Sequence, residues 1–361
     1  MQQNFDQIID KLKSIERVKK TISNHLRNVN NSFCIGPNEE IPEKFMINSV
    51  ELDFHDINVV GVDGGIVKSS LHGLDLVVHR AVGVNFVYKK NKLEKIDYYP
   101  SSVSEPDKNI IIEALSEVDL SYCFNFIRQT KEIEIAIESL NKFKPDMILL
   151  DGSVIPHYIT KPQNEFAKEY YKKMIEKYKE LFEFADETTL AGVIEDSRGN
   201  KFCDILIRRV FPILQDVLPK ESFDIISKTR DSNLLYYMLE KGERTCIFNY
   251  TVDPEHHPII KEFSRMTKKF MSFYLKTAEF DRPLRVDFFA NKDPLEITRK
   301  VSSFLLNTSG HTGYGLPAVL IEADQRAKLS QEDLENFYYD LINKAGNISI
   351  LSRLRRENRP F

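Results

Sequence analysis

Two segments of this 361-residue chain could do chemistry with carboxylates: NVVGVDGGIVKSS, Asn58 to Ser70, and DMILLDGS, which ends in Asp151-Gly152-Ser153. In each, a run of apolar residues closes on Asp-Gly, with Asp63 in the first and Asp151 in the second. Continuous apolar runs suit strands covered on both faces, and open α/β sheets gather their functional groups at the carboxyl ends of strands. Glycine after the acid lets the backbone turn away and another group approach closely. A single Asp-Gly is an ordinary turn signal; its repetition at two strand ends is what favours a shared site. Two carboxylates converging there repel each other unless a cation lies between them, and a divalent metal is the natural partner. Further oxygen donors are available in Glu132, Glu134 and Glu138, on the helical stretch before Asp151, and in Glu322 and Asp324 near the C-terminus. Spacing alone does not choose among them.

Periodicity predicts the elements that must position these residues. From Asn58 the segments NVVGVDGG, LDLVVHRAVGVNFVY and KIDYYP read as a three-strand meander. A helix is predicted from about Asp107 to Phe143, with Ile133, Ala136, Ile137 and Leu140 as its apolar stripe. The DMILLDGS strand follows, then a Lys- and Tyr-rich helix from Asn164 to Asp186, then a strand in TLAGVIEDSRG. After a helical middle section, SFYLKTAEF and LRVDFFA read as a hairpin, and two or three helices end the chain. The first 30 residues form an amphipathic helix, with Phe5, Ile8, Ile9, Leu12 and Ile15 at helical spacing, expected as a packing or dimer element. The order implies an α/β mixed sheet flanked by helices.

Composition narrows the class. With 42% apolar and 29% charged residues the chain is globular, and a net charge of -4 neither predicts nor excludes a nucleic-acid partner. Cys34, Cys123, Cys203 and Cys246 lie far apart without a Cys-x-x-Cys pair, which argues against a zinc site or a disulfide framework. No stretch approaches the roughly 18 consecutive apolar residues of a membrane span, and the N-terminus lacks signal-peptide character. A cytoplasmic, soluble protein with no membrane partner is expected.

With these blocks in view, the sequence resembles the NurA nuclease family, whose fold is similar to that of RNase H. The resemblance rests on GVDGG, on EIEIAIESL followed by ILLDGS, and on LAGVIEDSRG and IISKTRDSNLL. It continues through LEKGERT and GYGLPAVLIEADQRAKL, in the family's order over roughly residues 55 to 345. The resemblance implies an N-terminal helical extension at 1–50 and a nuclease domain at 51–345. It further implies a helical insertion at about 200–270, a helical C-terminus and a tail at 346–361. It implies a Mn2+-dependent deoxyribonuclease, with Mg2+ as the alternative ion, that resects ends 5′ to 3′ and cuts single strands. It also implies a homodimer coupled to a HerA-type hexameric translocase, in end resection or in defence against phage.

Carried over by position, Asp63 and Asp151 match the family's metal-binding aspartates. Glu134 matches the helical glutamate best, with Glu132 as the alternative on the other side of the same stripe. The last block departs from the expected Gly-Tyr-Pro and Ala-His: two residues separate Tyr314 from Pro317, and Ala323 is followed by Asp324. Asp324 keeps an oxygen donor but removes the softest ligand, which bears on metal preference.

Two ions about 4 Å apart would activate a water and stabilise the leaving oxygen in hydrolysis of a phosphodiester. Lys228 is the candidate for stabilising the developing charge. Arg198, Arg230 and Arg244 are expected on the DNA backbone, where guanidinium forks grip phosphate. Tyr170, Tyr171 and Tyr178 are read as core residues of their helix, and His256 and His257 as loop residues. Two readings of other classes remain. GVDGG also resembles the phosphate turn of actin-like kinases, with GHTGYG as the candidate second glycine-rich loop. A catalytically dead subunit of a translocase complex is the other.

Overall fold

The computed structural model describes residues 2–53, 56–156, 161–185, 187–346 and 348–355. Of the expected tail, residues 347 and 356–361 lie outside the described residues. The N-terminal half contains α1 (Gln2–Val29), β1 (Ile47–Ser49), β2 (Ile57–Ser70), β3 (Asp75–Lys89), β4 (Lys92–Tyr99), β5 (Asp107–Ile111), α2 (Glu117–Phe143), β6 (Met147–Asp151) and α3 (Glu165–Phe184). Then come β7 (Thr189–Ile194), α4 (Lys201–Arg209), α5 (Phe211–Leu214), α6 (Ser222–Ile226), α7 (Asp231–Met238), β8 (Glu243–Thr245) and β9 (Phe248–Asn249). The chain ends with β10 (Phe270–Leu275), β11 (Leu284–Phe289), α8 (Pro294–Thr308), α9 (Ala318–Ala327) and α10 (Gln331–Ala345). The 11 strands make a mixed sheet flanked by helices, as expected. Among the described residues no helix is long and apolar enough to cross a membrane.

The chain divides into two compact units. One comprises Met1–Phe54, Ala191–Asp253 and Lys268–Ala318; the other comprises His55–Leu190, Pro254–Thr267 and Val319–Phe361.

In the first unit β10 and β11 form the expected antiparallel hairpin, and β11 pairs with β7 from Ala191 to Ile194. The core packs Phe202, Leu206, Leu234, Leu235, Phe248 and Tyr274 with Ile22 and Leu26 of α1. The N-terminal helix therefore packs by its second half, while Phe5, Ile8 and Leu12 of the predicted stripe are 63%, 55% and 60% exposed. Residues 201–238 carry the four short helices α4 to α7, while Glu243–Thr245 and Phe248–Asn249, inside the span expected to be helical, are short strands paired with β10. Asp231, fully buried, organises this unit. It accepts from the Phe202 and Cys203 N–H groups at 2.9 and 2.8 Å and from the Tyr274 hydroxyl at 3.0 Å.

In the second unit β2 is central, parallel to β6 and antiparallel to β3, and β3 also carries β4 and β5. The segment Asp107–Ile111, predicted as the start of a helix, is β5. The run KNII is rich in β-branched side chains and lies against β3, whose pairing satisfies its backbone. The helix starts later, where the Ser116 hydroxyl accepts from Asp119 N–H at 3.1 Å as an N-cap. α2 lays Ile133, Ile135, Ala136 and Ile137 into the core. Tyr171 and Tyr178 of α3 are buried, which bears out their reading as core residues.

Candidate active site

The site follows from how β6 ends against β2. Their register pairs Val59 to Val62 with Met147 to Leu150, and one further step sets Asp63 beside Asp151, the last residue of β6. Residues level with each other on neighbouring parallel strands share a face, with backbones about 4.8 Å apart. β2 does not end there. It continues to Ser70 paired with β3, so Asp63 lies in mid-strand rather than at the strand terminus the sequence suggested. What ends at the acid is the parallel pairing: among the described residues the β2–β6 ladder stops at Val62 and Leu150. After Asp151 the chain turns at Gly152, whose φ of 111° favours glycine and beside which a Cβ would meet nothing within 4 Å.

Asp63 is 7% exposed, and its Oδ1 accepts from the Gly64 N–H at 2.7 Å. Burial raises its pKa and the charge of Asp324 on α9 adds to this, against the pull of the Gly64 N–H and the Arg128 guanidinium. Glu132 reaches the same place from α2 and is 9% exposed. A Cβ on Gly64 would lie 2.5 Å from Glu132 Cγ and 2.6 Å from its Oε1, so the glycine leaves the room this side chain occupies. Burial pushes the Glu132 carboxyl up to about 8, with Asp63 and Asp151 adding and Arg128 opposing. Arg128, one turn earlier on α2, donates from Nη1 to Glu132 Oε1 at 2.5 Å and to the Gly64 carbonyl at 3.3 Å. Asp63, Glu132, Asp151 and Asp324 thus share one electrostatic neighbourhood with Arg128.

Among the described residues, no group of three or more His, Cys, Asp or Glu side chains stands so as to hold a metal ion. The donor set still fits a hard divalent cation in kind. It consists of carboxylate oxygens, two of them on buried residues whose burial and neighbouring acids disfavour ionisation.

The preference for Glu134 is not matched by its position. Two residues along a helix is a rotation of roughly 200°, and Glu134 lies on the other side of α2. There it pairs with Lys173 at 3.4 Å and lines a cavity of about 300 Å3 with His79, Asp107 and Lys131. Glu138 bonds to Tyr99, and Glu322 accepts from Tyr98 Oη at 2.9 Å and Arg326 Nε at 2.7 Å. Arg128 was missed by sequence reading. Its signal is the four-residue spacing to Glu132, which puts both on one helix face.

Lys228, Arg198, Arg230, Arg244 and Tyr314 all belong to the first unit. Lys228 is exposed and paired with Asp224 at 2.5 Å, and Arg198 and Arg230 are exposed. Arg244, expected on DNA, is instead buried with its fork closed on Glu43 at 2.8 and 2.7 Å. Tyr314 Oη bonds to Glu195 Oε2 at 3.1 Å. His257 caps its loop, its Nδ1 accepting from the Ile259 and Ile260 N–H groups, in line with its reading as a loop residue. The GHTGYG segment is no phosphate cradle. The Gly315 N–H donates to Asp281 and its carbonyl accepts from Thr277 and Ser309, while His311 and Tyr314 bridge across the turn.

The fold and the order of these blocks have counterparts among known proteins. The NurA domain profile matches residues 57–329, most of the chain. In structure the chain is similar to the NurA nuclease from Sulfolobus solfataricus, with 17% identity and a TM-score of 0.57, covering 94% of this chain and 98% of that one. It is also similar to a NurA structure bound to dAMP and manganese, at 12% identity and a TM-score of 0.48 over 97% and 98% of the two chains. Endonuclease V from Bacillus subtilis follows at 13% identity and a TM-score of 0.36, over 87% and 91%. No curated protein matches by sequence. With the family profile spanning the strand acids, the helical glutamates and the terminal acidic helix, the chain belongs to the NurA family.

Proposed function

We propose that this chain is a divalent-metal-dependent deoxyribonuclease acting on DNA ends and single strands. The observation that carries the proposal is Asp63 and Asp151 on the adjacent parallel strands β2 and β6, with Glu132 of α2 lying over Gly64 and the charge of Asp324 acting on Asp63. Membership of the NurA family supports the same reading. Asp63, Asp151, Asp324 and Glu132 would hold Mn2+ or Mg2+, in one or two sites. Such ions, when bound, polarise a scissile phosphodiester and lower the pKa of an attacking water. The chain's own part is to fix the donors. β2 and β6 hold Asp63 and Asp151 on adjacent rigid strands, the Gly64 N–H orients the Asp63 carboxylate, and Gly64 leaves space for Glu132.

The reading extends to a homodimer fed by a HerA-type translocase in the cytoplasm, in end resection or phage defence, on the strength of family membership alone. Arg198, Arg230 and Lys228, as exposed cations, remain candidates for phosphate contacts.

The test is cleavage of labelled single- and double-stranded DNA with Mn2+, Mg2+ or chelator, using wild type, Asp63→Asn, Asp151→Asn, Glu132→Gln and Glu134→Gln. Metal-dependent cutting is expected to fall by about 100-fold or more in the first three variants, the loss typical of a misplaced catalytic group, and to persist in Glu134→Gln. Cutting that survives chelation, or that is equally strong in Asp63→Asn and Asp151→Asn, would refute the carboxylate site. Absence of cutting with a cognate translocase and ATP present would favour the inactive-subunit reading.

A further inference from the structure

We propose that Arg128 is a built-in counter-ion of the carboxylate site: it holds Glu132 against Gly64 in the metal-free protein and must release it when a divalent cation binds. The inference rests on the metal-dependent reading above and assigns Arg128 the role of a positioning residue that competes with the metal.

The geometry sets up the competition. One guanidinium nitrogen donates both to Glu132 Oε1 at 2.5 Å and to the Gly64 carbonyl at 3.3 Å, so Arg128 ties the α2 carboxylate to the strand that carries Asp63. The pair is mostly withdrawn from water, with side-chain exposures of 29% for Arg128 and 11% for Glu132. Helix stability gains less from this order than from the reverse. At this spacing the favourable order along a helix places the acid before the base, and here the arginine comes first. Local charge adds to it. Arg128 is the cation that acts on both Asp63 and Glu132, against the added negative charges of Asp151 and Asp324.

A hard cation takes carboxylate oxygen at about 2.0 to 2.6 Å. Set on Glu132 Oε1, it would bring two positive charges to within a few ångströms of the guanidinium, where like charges repel. Glu132 therefore cannot serve both partners well. Coupling of this kind is reciprocal: what the metal does to the Arg128 bond, the Arg128 bond does to the metal.

The test is calorimetric titration of Mn2+ into wild type, Arg128→Gln, Arg128→Lys and Asp63→Asn at pH 8.0, with the melting temperature of each measured with and without Mn2+. Arg128→Gln is expected to bind Mn2+ roughly threefold to tenfold tighter than wild type once the proton Glu132 gives up on binding is counted, by titration in two buffers of different ionisation enthalpy, since a repelling charge has gone. It should also melt lower without metal and gain more from adding it. Arg128→Lys keeps the charge and should restore an affinity close to wild type.

Should Arg128→Gln fail to fold, Arg128→Met carries the same test, with the same tightening expected. Unchanged or weaker Mn2+ binding on loss of the charge, with wild type binding and Asp63→Asn not, would overturn this inference and leave the metal-dependent reading standing. If wild type takes no Mn2+, or Asp63→Asn binds it equally well, the metal-dependent reading fails and this inference fails with it.

Discussion

Gly64→Ala tests the site at its tightest point. The new Cβ would stand 2.5 Å from Glu132 Cγ, 2.6 Å from Oε1 and 3.0 Å from Cδ. Carbon atoms pack comfortably at about 3.5 to 4.0 Å, so the glutamate must retreat by roughly 1 Å. It is buried and bonded to Arg128 at 2.5 Å, so it cannot retreat without straining or breaking that pair. Overpacking of this size costs about 1 to 3 kcal/mol, and at about 2 to 4 °C per kcal/mol for a unit of this size the melting temperature should fall by roughly 2 to 12 °C. A displacement of about 1 Å at a catalytic group can cost on the order of 100-fold in rate.

Differential scanning calorimetry and Mn2+-dependent DNA cleavage read the two effects. The double variant Gly64→Ala/Glu132→Asp, with a shorter acid, should recover part of the lost stability. A melting temperature within about 1 °C of wild type together with undiminished cleavage would show that Glu132 does not lie over Gly64. Strict additivity in the double variant, within about 0.5 kcal/mol, would also refute the steric account.

Two further outcomes are expected. Burial, reinforced by Asp63 and Asp151, holds the Glu132 carboxyl at about 8 against an ordinary 4.5, so between those values the folded state binds a proton that the unfolded state has released. The stability this contributes is complete below about pH 4.5 and is lost as pH rises through about 8. Metal-free Glu132→Gln should flatten that part of the decline in thermal stability, and parallel pH profiles for variant and wild type would sink the prediction. Arg244→Gln should destabilise the first unit by about 3 to 5 kcal/mol, because Glu43 is left buried without its partner. The salt dependence of DNA binding should stay as in wild type; a reduced salt slope at unchanged stability would restore Arg244 as a phosphate contact.

The sequence by itself determined what local patterns can encode. The apolar runs ending at Asp63 and Asp151 became adjacent strands. The alternation in SFYLKTAEF and LRVDFFA became the β10–β11 hairpin, and the stripe of Ile133, Ala136 and Ile137 became the buried face of α2. Each of these follows from side-chain periodicity over a few residues. Only the tertiary structure separates Glu132 from Glu134 in place. Both flank the same stripe, and which of them meets Asp63 depends on how α2 is rotated and seated over Gly64. The same holds for Asp107–Ile111, too short a run to be told from a helix start until β3 lay beside it. It holds again for Arg244, whose type suits phosphate and whose surroundings close it on Glu43. Periodicity reports which residues share a face. The partner of that face is set by contacts between segments far apart in the chain, and those contacts exist only once the sheet and helices have packed.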